Sequence, residues 1–195
     1  ASSVFYNPAT ISQLDQTEIY FTQIQWPAEI SYDFFSITKN IKGRHYFGLN
    51  GVILHMEPMM ETTEFFPDGT GNYFTYQDQF IGLTYGAKMT DRFSFGLTIK
   101  QVSEYLAGFE MSTFLFDMGT FYWTGYKSLR FCASISHFGS QTSPDGSFEK
   151  LILDQESGVE INEETKFEKF SPQTLFRVGG AIDPLLNDKH MRREY

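Results

Sequence analysis

The chain has 195 residues, 41% of them hydrophobic and 20% charged, and carries a net charge of −9. That length fits one ordinary domain, the balance excludes a disordered chain, and the acidic excess argues against a nucleic-acid surface. No run approaches the roughly 18 consecutive apolar residues of a membrane helix, so a membrane role is open only to a closed barrel, where every backbone group pairs between strands.

The chain opens at Ala1-Ser2-Ser3-Val4 without a signal peptide, the pattern of a mature, trimmed or truncated product. Residues 1–16 read as an N-terminal segment and 17–195 as strands of one domain. Within the segment, Asn7-Pro8-Ala9 has two readings. Asn7 is pushed to an extended conformation by the following proline, so the triplet is either a turn leading into a strand or a hatch element that closes a lumen.

Period-2 alternation is the strongest signal in the chain. Ile81, Leu83, Tyr85, Ala87 and Met89 alternate with Phe80, Gly82, Thr84, Gly86 and Lys88. The same register resumes with Phe93, Phe95, Leu97 and Ile99 against Ser94, Gly96, Thr98 and Lys100. It continues with Phe114, Phe116 and Met118 against Thr113, Asp117 and Gly119, then with Phe131, Ala133 and Ile135 against Arg130, Cys132 and Ser134. One face is bulky and apolar, the other small or polar. The pattern predicts eight strands near 17–25, 30–39, 44–56, 78–89, 92–105, 110–123, 128–139 and 173–183. Most approach the 9–11 residues or so that a tilted strand needs to cross a bilayer, against about 5–6 in globular sheets.

Short turns are expected at 40–43, 89–92, 124–128 and after Asp183, and long connections at 57–77 and 140–172. The second long connection has room for an extra hairpin around Leu151-Ile152-Leu153 and Val159-Glu160-Ile161. Segment 57–77 holds four acids and no base, and segment 141–172 holds eight acids against three bases, so the two account for the whole net charge. One pole is therefore acidic, and the short turns are mildly basic. Trp26 with Tyr32, Tyr73 with Phe74 and Tyr76, and Phe121 with Tyr122 and Trp123 fall near strand ends, where a membrane-interface girdle would sit.

Catalytic signatures are missing: no Gly-x-Ser-x-Gly, no phosphate-cradling glycine loop, no His-Glu-x-x-His. The four histidines share no metal-ligand spacing, and Cys132 has no neighbour that would activate it. Asp68-Gly69-Thr70-Gly71-Asn72 has half the form of a calcium loop but lacks the later bidentate Glu. Asp117 and Arg130, on the small-residue face of neighbouring strands, are candidates for a polar lumen site or for a charge pair that merely fills a barrel. Met56, Met59, Met60, Phe65 and Phe66 form an apolar loop tip, since Met adapts to varied contacts. Glu160, Glu163 and Glu164 form an acidic stretch suited to a partner.

Several pieces occur in order: Tyr6-Asn7-Pro8-Ala9; Trp26 followed by Ile30-Ser31-Tyr32-Asp33-Phe34; Gly69-Thr70-Gly71; Gly82-Leu83-Thr84-Tyr85-Gly86; Thr90-Asp91-Arg92-Phe93; Phe116-Asp117-Met118-Gly119; Leu175-Phe176-Arg177-Val178-Gly179-Gly180. Together they resemble the PorV/PorQ-type family of bacterial outer-membrane proteins, within the FadL-like superfamily. The resemblance implies an antiparallel transmembrane β-barrel in the bacterial outer membrane, in contact with outer-membrane lipid. It implies a non-enzymatic role in type IX protein secretion, with secretion-system proteins and secreted cargo as partners. It implies no cofactor, and it leaves the oligomeric state open. The superfamily barrel has about fourteen strands, inside the range of outer-membrane barrels, so eight reads as a partial barrel in a chain truncated at both ends. Two other readings stand beside it: a FadL-like channel for hydrophobic small molecules, and a soluble antiparallel sheet that binds a partner.

Overall fold

A computed structural model describes residues 1–153 and 160–183, with the side chains of 149–163 outside the described set. Two 3-10 turns come first, Ser2–Phe5 and Pro8–Gln13. The strands then run β1 (Glu18–Trp26), β2 (Ile30–Ile41), β3 (His45–Met56), β4 (Met59–Met60), β5 (Tyr73–Phe74), β6 (Tyr76–Lys88), β7 (Phe93–Leu106), β8 (Phe109–Trp123), β9 (Arg130–Gly139), β10 (Ser147–Leu153), β11 (Glu160–Lys166) and β12 (Leu175–Ala181). All eight expected strands appear, each within about three residues of its expected bounds. The extra hairpin in 140–172 is β10–β11, and β4–β5 is a second small hairpin that the sequence did not announce.

Eight strands form one antiparallel meander in the order β1-β2-β3-β6-β7-β8-β9-β12. The pairing carries the period-2 pattern across every strand. Ile19, Ile37, Leu49, Leu83, Ile99 and Phe116 lie in one register row. On the other face, Thr38, Gly48, Thr84, Thr98 and Asp117 lie in the row directly behind it. From Phe114 to Tyr122 the apolar side runs eight residues along β8, about 27 Å at the usual rise of about 3.4 Å per residue.

The burial is inverted relative to a water-soluble sheet. The apolar face is bare: Ile19 is 77% exposed, Leu83 67% and Val178 69%. The polar face is covered, and Ser36, Thr38, Asn50, Thr84, Thr98 and Ser134 are buried there. What covers it is the N-terminal segment, whose Val4 and Ile11 pack with Tyr46 of β3 into the buried apolar cluster, with Leu14 beside them.

Among the described residues the sheet does not close, since β1 and β12 are its two edges and do not pair with each other, so of the two forms expected, a closed barrel and a partial one, the closed one is not formed. An eight-strand barrel has an interior just wide enough for side chains, and here a whole chain segment lies on that face. Next, the long-loop end is not uniformly long. Trp26 pairs with Ile30 across three residues and Leu106 with Phe109 across two, so tight turns alternate there with the two long connections. The turn expected after Asp183 lies outside the described residues. Last, the aromatic girdle is not formed as expected, because Trp26, Tyr32, Tyr76, Phe121 and Trp123 sit on the register rows of the polar face. Trp26 stacks on Tyr32, with ring centroids 6.2 Å apart.

The β7–β8 turn holds Ala107 at φ 49° and Gly108 at φ 95°. Two positive φ values in a two-residue loop make a type I′ turn, which favours Asn-Gly because alanine is strained in the left-handed region. Ala107→Asn is expected to stabilise the fold by about 0.5–1 kcal/mol, read as a raised midpoint in denaturant unfolding; an unchanged midpoint would remove the strain argument.

Candidate functional site

The N-terminal segment is tied together by its own hydrogen bonds. Asn7 is extended, with Pro8 at the first helical position, and its Oδ1 accepts a hydrogen bond from the Ala9 N–H at 2.9 Å. That is an N-cap followed by proline, the combination that starts a helix without stranding a donor. Thr10 Oγ1 donates back to the Asn7 carbonyl and Ser12 Oγ to the Ala9 carbonyl, both at 2.7 Å. Asn7-Pro8-Ala9 thus opens the second 3-10 turn, and β1 follows at Glu18. All three residues are buried.

The seat is a row of glycines. Gly86, Gly96 and Gly119 are direct register partners on β6, β7 and β8. A Cβ on Gly86 would stand 2.2 Å from Ile11 Cγ2, one on Gly96 2.3 Å from the Ala9 nitrogen, and one on Gly119 2.0 Å from Asn7 Oδ1. Any side chain there would displace the segment. Hydrogen bonds fix the register of docking. Asn7 Nδ2 donates to the Thr120 carbonyl at 3.1 Å and to the Ala133 carbonyl at 3.4 Å, Ser134 Oγ donates to the Tyr6 carbonyl at 3.0 Å, and Trp123 Nε1 donates to Gln13 Oε1 at 3.3 Å. The tryptophan expected at a membrane interface thus holds the segment instead. Asn7→Ala removes the cap and both sheet contacts. A lost cap alone costs about 1 kcal/mol. The expected result is faster proteolysis between residues 1 and 14 with the strand signal in circular dichroism unchanged; equal proteolysis rates would count against the anchoring role.

The charged pair on this face is Lys100 with Asp117, not Asp117 with Arg130. Lys100 Nζ lies 2.8 Å from Asp117 Oδ2, and both residues are buried. Asp117 Oδ1 accepts the His137 backbone N–H at 2.7 Å. That bond sits at a β-bulge, where the β8–β9 register shifts between Phe116 and Met118 and His137 takes φ 62°. The carboxylate therefore binds a buried ammonium and the irregular turn of a strand at once. Arg130 is the register partner of Trp123, six residues along β8 from Asp117 and so about 20 Å away. Its guanidinium lies 5.5 Å from the centre of the Trp123 ring. The two-residue turn at 107–108 sets the β7–β8 register and so places Lys100 diagonally across from Asp117. On β12, Arg177 Nη1 donates to Ser136 Oγ at 3.0 Å, which adds a cation beside the pair.

Between the segment and the sheet, at the short-turn end, lies a cleft of about 730 Å³ lined by Thr10, Gln13, Asp15, Lys88, Trp123 and Arg130 among others. The segment therefore covers the polar face while leaving a wet, charged gap along one side.

The contact residues expected in the loops divide into two sets. Met59, Met60, Phe65 and Phe66 are all exposed on the β3–β6 connection. Its end is closed by Glu61 Oε2, which accepts from Thr70 Oγ1 at 3.0 Å and Asn72 Nδ2 at 3.1 Å, so the half calcium loop is tied to a neighbouring glutamate. Among the described residues, no three His, Cys, Asp or Glu side chains are grouped as a metal site. Glu160 and Glu163 lie on β11, their side chains outside the described set, and Glu164 is exposed and accepts from Ser147 Oγ. The stem of that hairpin is pinned by Phe167, whose ring lies 4.8 Å from Phe109 and 5.0 Å from Phe148. Cys132 is half-buried, with its thiol 3.6 Å from the Gly179 carbonyl.

The assembled arrangement is a short chain segment seated on the polar side of an inverted sheet, with a buried ion pair beneath it and two elaborated loops at one end. No protein-family model matches this chain, and no curated protein or solved structure matches it either.

Proposed function

We propose that this chain forms a section of the wall of an outer-membrane β-barrel, with residues 1–14 as a plug on the lumen side. The inverted burial carries this reading. An apolar face of such extent in water would far exceed the patches of about 300–600 Å² that monomeric proteins expose. Against lipid tails the same face has its natural solvent, and the nine residues from Phe114 to Tyr122 meet the roughly 9–11 that a tilted strand needs to cross the bilayer. The polar face, with Lys100 and Asp117 buried in it, then belongs to the lumen. Its free edges at β1 and β12 call for further strands, because unpaired backbone groups are costly in lipid.

The role we assign is non-enzymatic: handling of exported protein at the cell surface, as in type IX secretion. Support comes from the ordered motifs, from the exposed Met59, Met60, Phe65 and Phe66, and from the acidic β10–β11 connection. Partition between buffer and detergent, with circular dichroism on the protein-bearing fraction, tests the barrel. Strand-rich protein recovered only in detergent supports it, and monodisperse protein in plain buffer defeats it in favour of a soluble sheet that binds a partner. Recovery of secretion components or secreted cargo on pull-down from intact outer membranes tests the role.

The exposed apolar tip of Met59, Met60, Phe65 and Phe66 favours a second reading, a channel for hydrophobic small molecules in the FadL manner with that tip as first capture site. Long-chain fatty-acid uptake that is unchanged in a deletion strain removes it.

A further inference from the structure

We propose that the apolar face carries a specific site for an anionic phospholipid, with the acyl chain in a groove across β2, β3, β6 and β7 and the headgroup on Lys39. This inference rests on the membrane reading above and names a lipid for that face. The groove is about 410 Å³ and is walled by Ile37, Phe47, Leu49, Leu83, Leu97 and Ile99. That volume falls in the range of about 300–1,000 Å³ typical of ligand sites.

Two observations select the occupant. The first is charge. Lys39 also lines the groove and is exposed, and its register row continues through Phe47, Tyr85 and Leu97. A cation at such a position extends its stem along apolar surface and holds its ammonium at the level of the headgroups. Lys42 and Arg44 occupy the β2–β3 turn just beyond, and Lys88 and Arg92 flank the next turn with Asp91 as the acid between them. Lys39, Lys42 and Arg44 make no ion pair among the described residues. The acidic loops lie at the opposite end of the strands, so an anion is drawn to this end alone.

The second observation is a set of polar groups on the same face, Tyr85 lying in the register row of Lys39 with β3 between them. His45 Nδ1 and the Tyr85 hydroxyl lie 2.9 Å apart on the same face, their rings stacked with centroids at 6.1 Å. Phe47 packs on Tyr85 at 5.2 Å. An aromatic body with a wet tip is what the headgroup boundary accommodates. A phosphate diester bridging Lys39 and the Tyr85 hydroxyl leaves its acyl chain over Leu83 and Ile99. The phosphate keeps its charge at all working pH values, and no bond is made or broken.

Native mass spectrometry on the full chain in neutral detergent tests this. Phosphatidylglycerol and phosphatidylcholine of identical acyl chains are added in separate titrations. The expected result is one retained phosphatidylglycerol, at least about fivefold tighter than phosphatidylcholine, the factor equivalent to about 1 kcal/mol for one basic residue at an anionic surface. Lys39→Gln keeps most of the stem and removes the charge. It should abolish that preference without changing the unfolding temperature in detergent, whereas Leu83→Ala should weaken both lipids alike. Equal retention of the two lipids, or a preference that survives Lys39→Gln, overturns the site. So does a free fatty acid that binds as tightly as phosphatidylglycerol, since the phosphate would then be dispensable. Protein that is monodisperse without detergent overturns the membrane reading itself, before any lipid is added.

Discussion

Replacing Gly96 with valine is expected to release the N-terminal segment and leave the sheet standing. A Cβ at this position would stand 2.3 Å from both the Ala9 nitrogen and the Pro8 carbonyl carbon, and 2.5 Å from the Pro8 oxygen. These are backbone atoms, so no rotamer change can give way. Relief has to come from lifting the segment as a body. Lifting it exposes Val4 and Ile11, each contributing about 1.5–3 kcal/mol by burial, and breaks the Asn7 contacts to Thr120 and Ala133. Docking thus loses several kcal/mol, while the β6–β7–β8 ladder, which uses no Gly96 side chain, stays paired.

Hydrogen exchange reads this directly. In the variant, the amides at Val4, Tyr6 and Ala9 should exchange at close to the rate of an open chain, with strand amides still protected. Gly180→Ala is the control. That residue lies on the same sheet away from the segment and would meet only the edge of the Phe131 ring at 3.2 Å. Retained protection at Val4 in Gly96→Val would mean that the glycine row is not the seat.

The second large effect concerns Asp117. Asp117→Ala strands the Lys100 ammonium on a buried face and frees the His137 N–H at the bulge. Breaking a buried pair by removing one partner costs about 3–5 kcal/mol, because the other charge is left uncompensated. Replacing both, as in Lys100→Met with Asp117→Leu, should recover most of that loss, since the charge and its partner leave together. Asp117→Asn should fall between the two, as its amide oxygen can still accept from His137. Denaturant unfolding in detergent separates these cases. A double variant as destabilised as Asp117→Ala would place the cost in the bulge rather than in the ion pair.

The strands were readable because alternation is a local property. In an extended chain successive side chains point to opposite faces whatever lies beside them, so Leu83 and Ile99 could be assigned to one side and Thr84 and Thr98 to the other before any pairing was known. The hairpin around Leu151 and Ile161 was legible for the same reason, even inside a charged loop. Partners were less legible. Sequence suggests Arg130 as the neighbour of Asp117 because both lie on the small-residue face of neighbouring strands. A face does not specify a depth, and the register puts six residues between them. Lys100 became the partner because the tight Ala107-Gly108 turn sets which residues of β7 meet β8. Trp123 shows the same limit. Its position near a strand end suggested an interface anchor, but its parity sends it to the covered face, where Gln13 accepts its N–H.

By itself, then, the sequence determined that the protein is all-β, where its main strands run, which side of each is apolar, and that its acids gather at one end. These are consequences of period-2 geometry and of composition, and they need no long-range contact. Only the tertiary structure decided that Gly86, Gly96 and Gly119 line up as one ledge, that Asn7-Pro8-Ala9 lies on it, that β1 and β12 remain edges, and that Lys100 neutralises Asp117. Each of these depends on which residues become neighbours across separations that run from 10 positions of chain for Gly86 and Gly96 to 128 for Tyr6 and Ser134, and that is set by strand register and turn length together, an outcome of summed pairing that no local pattern encodes.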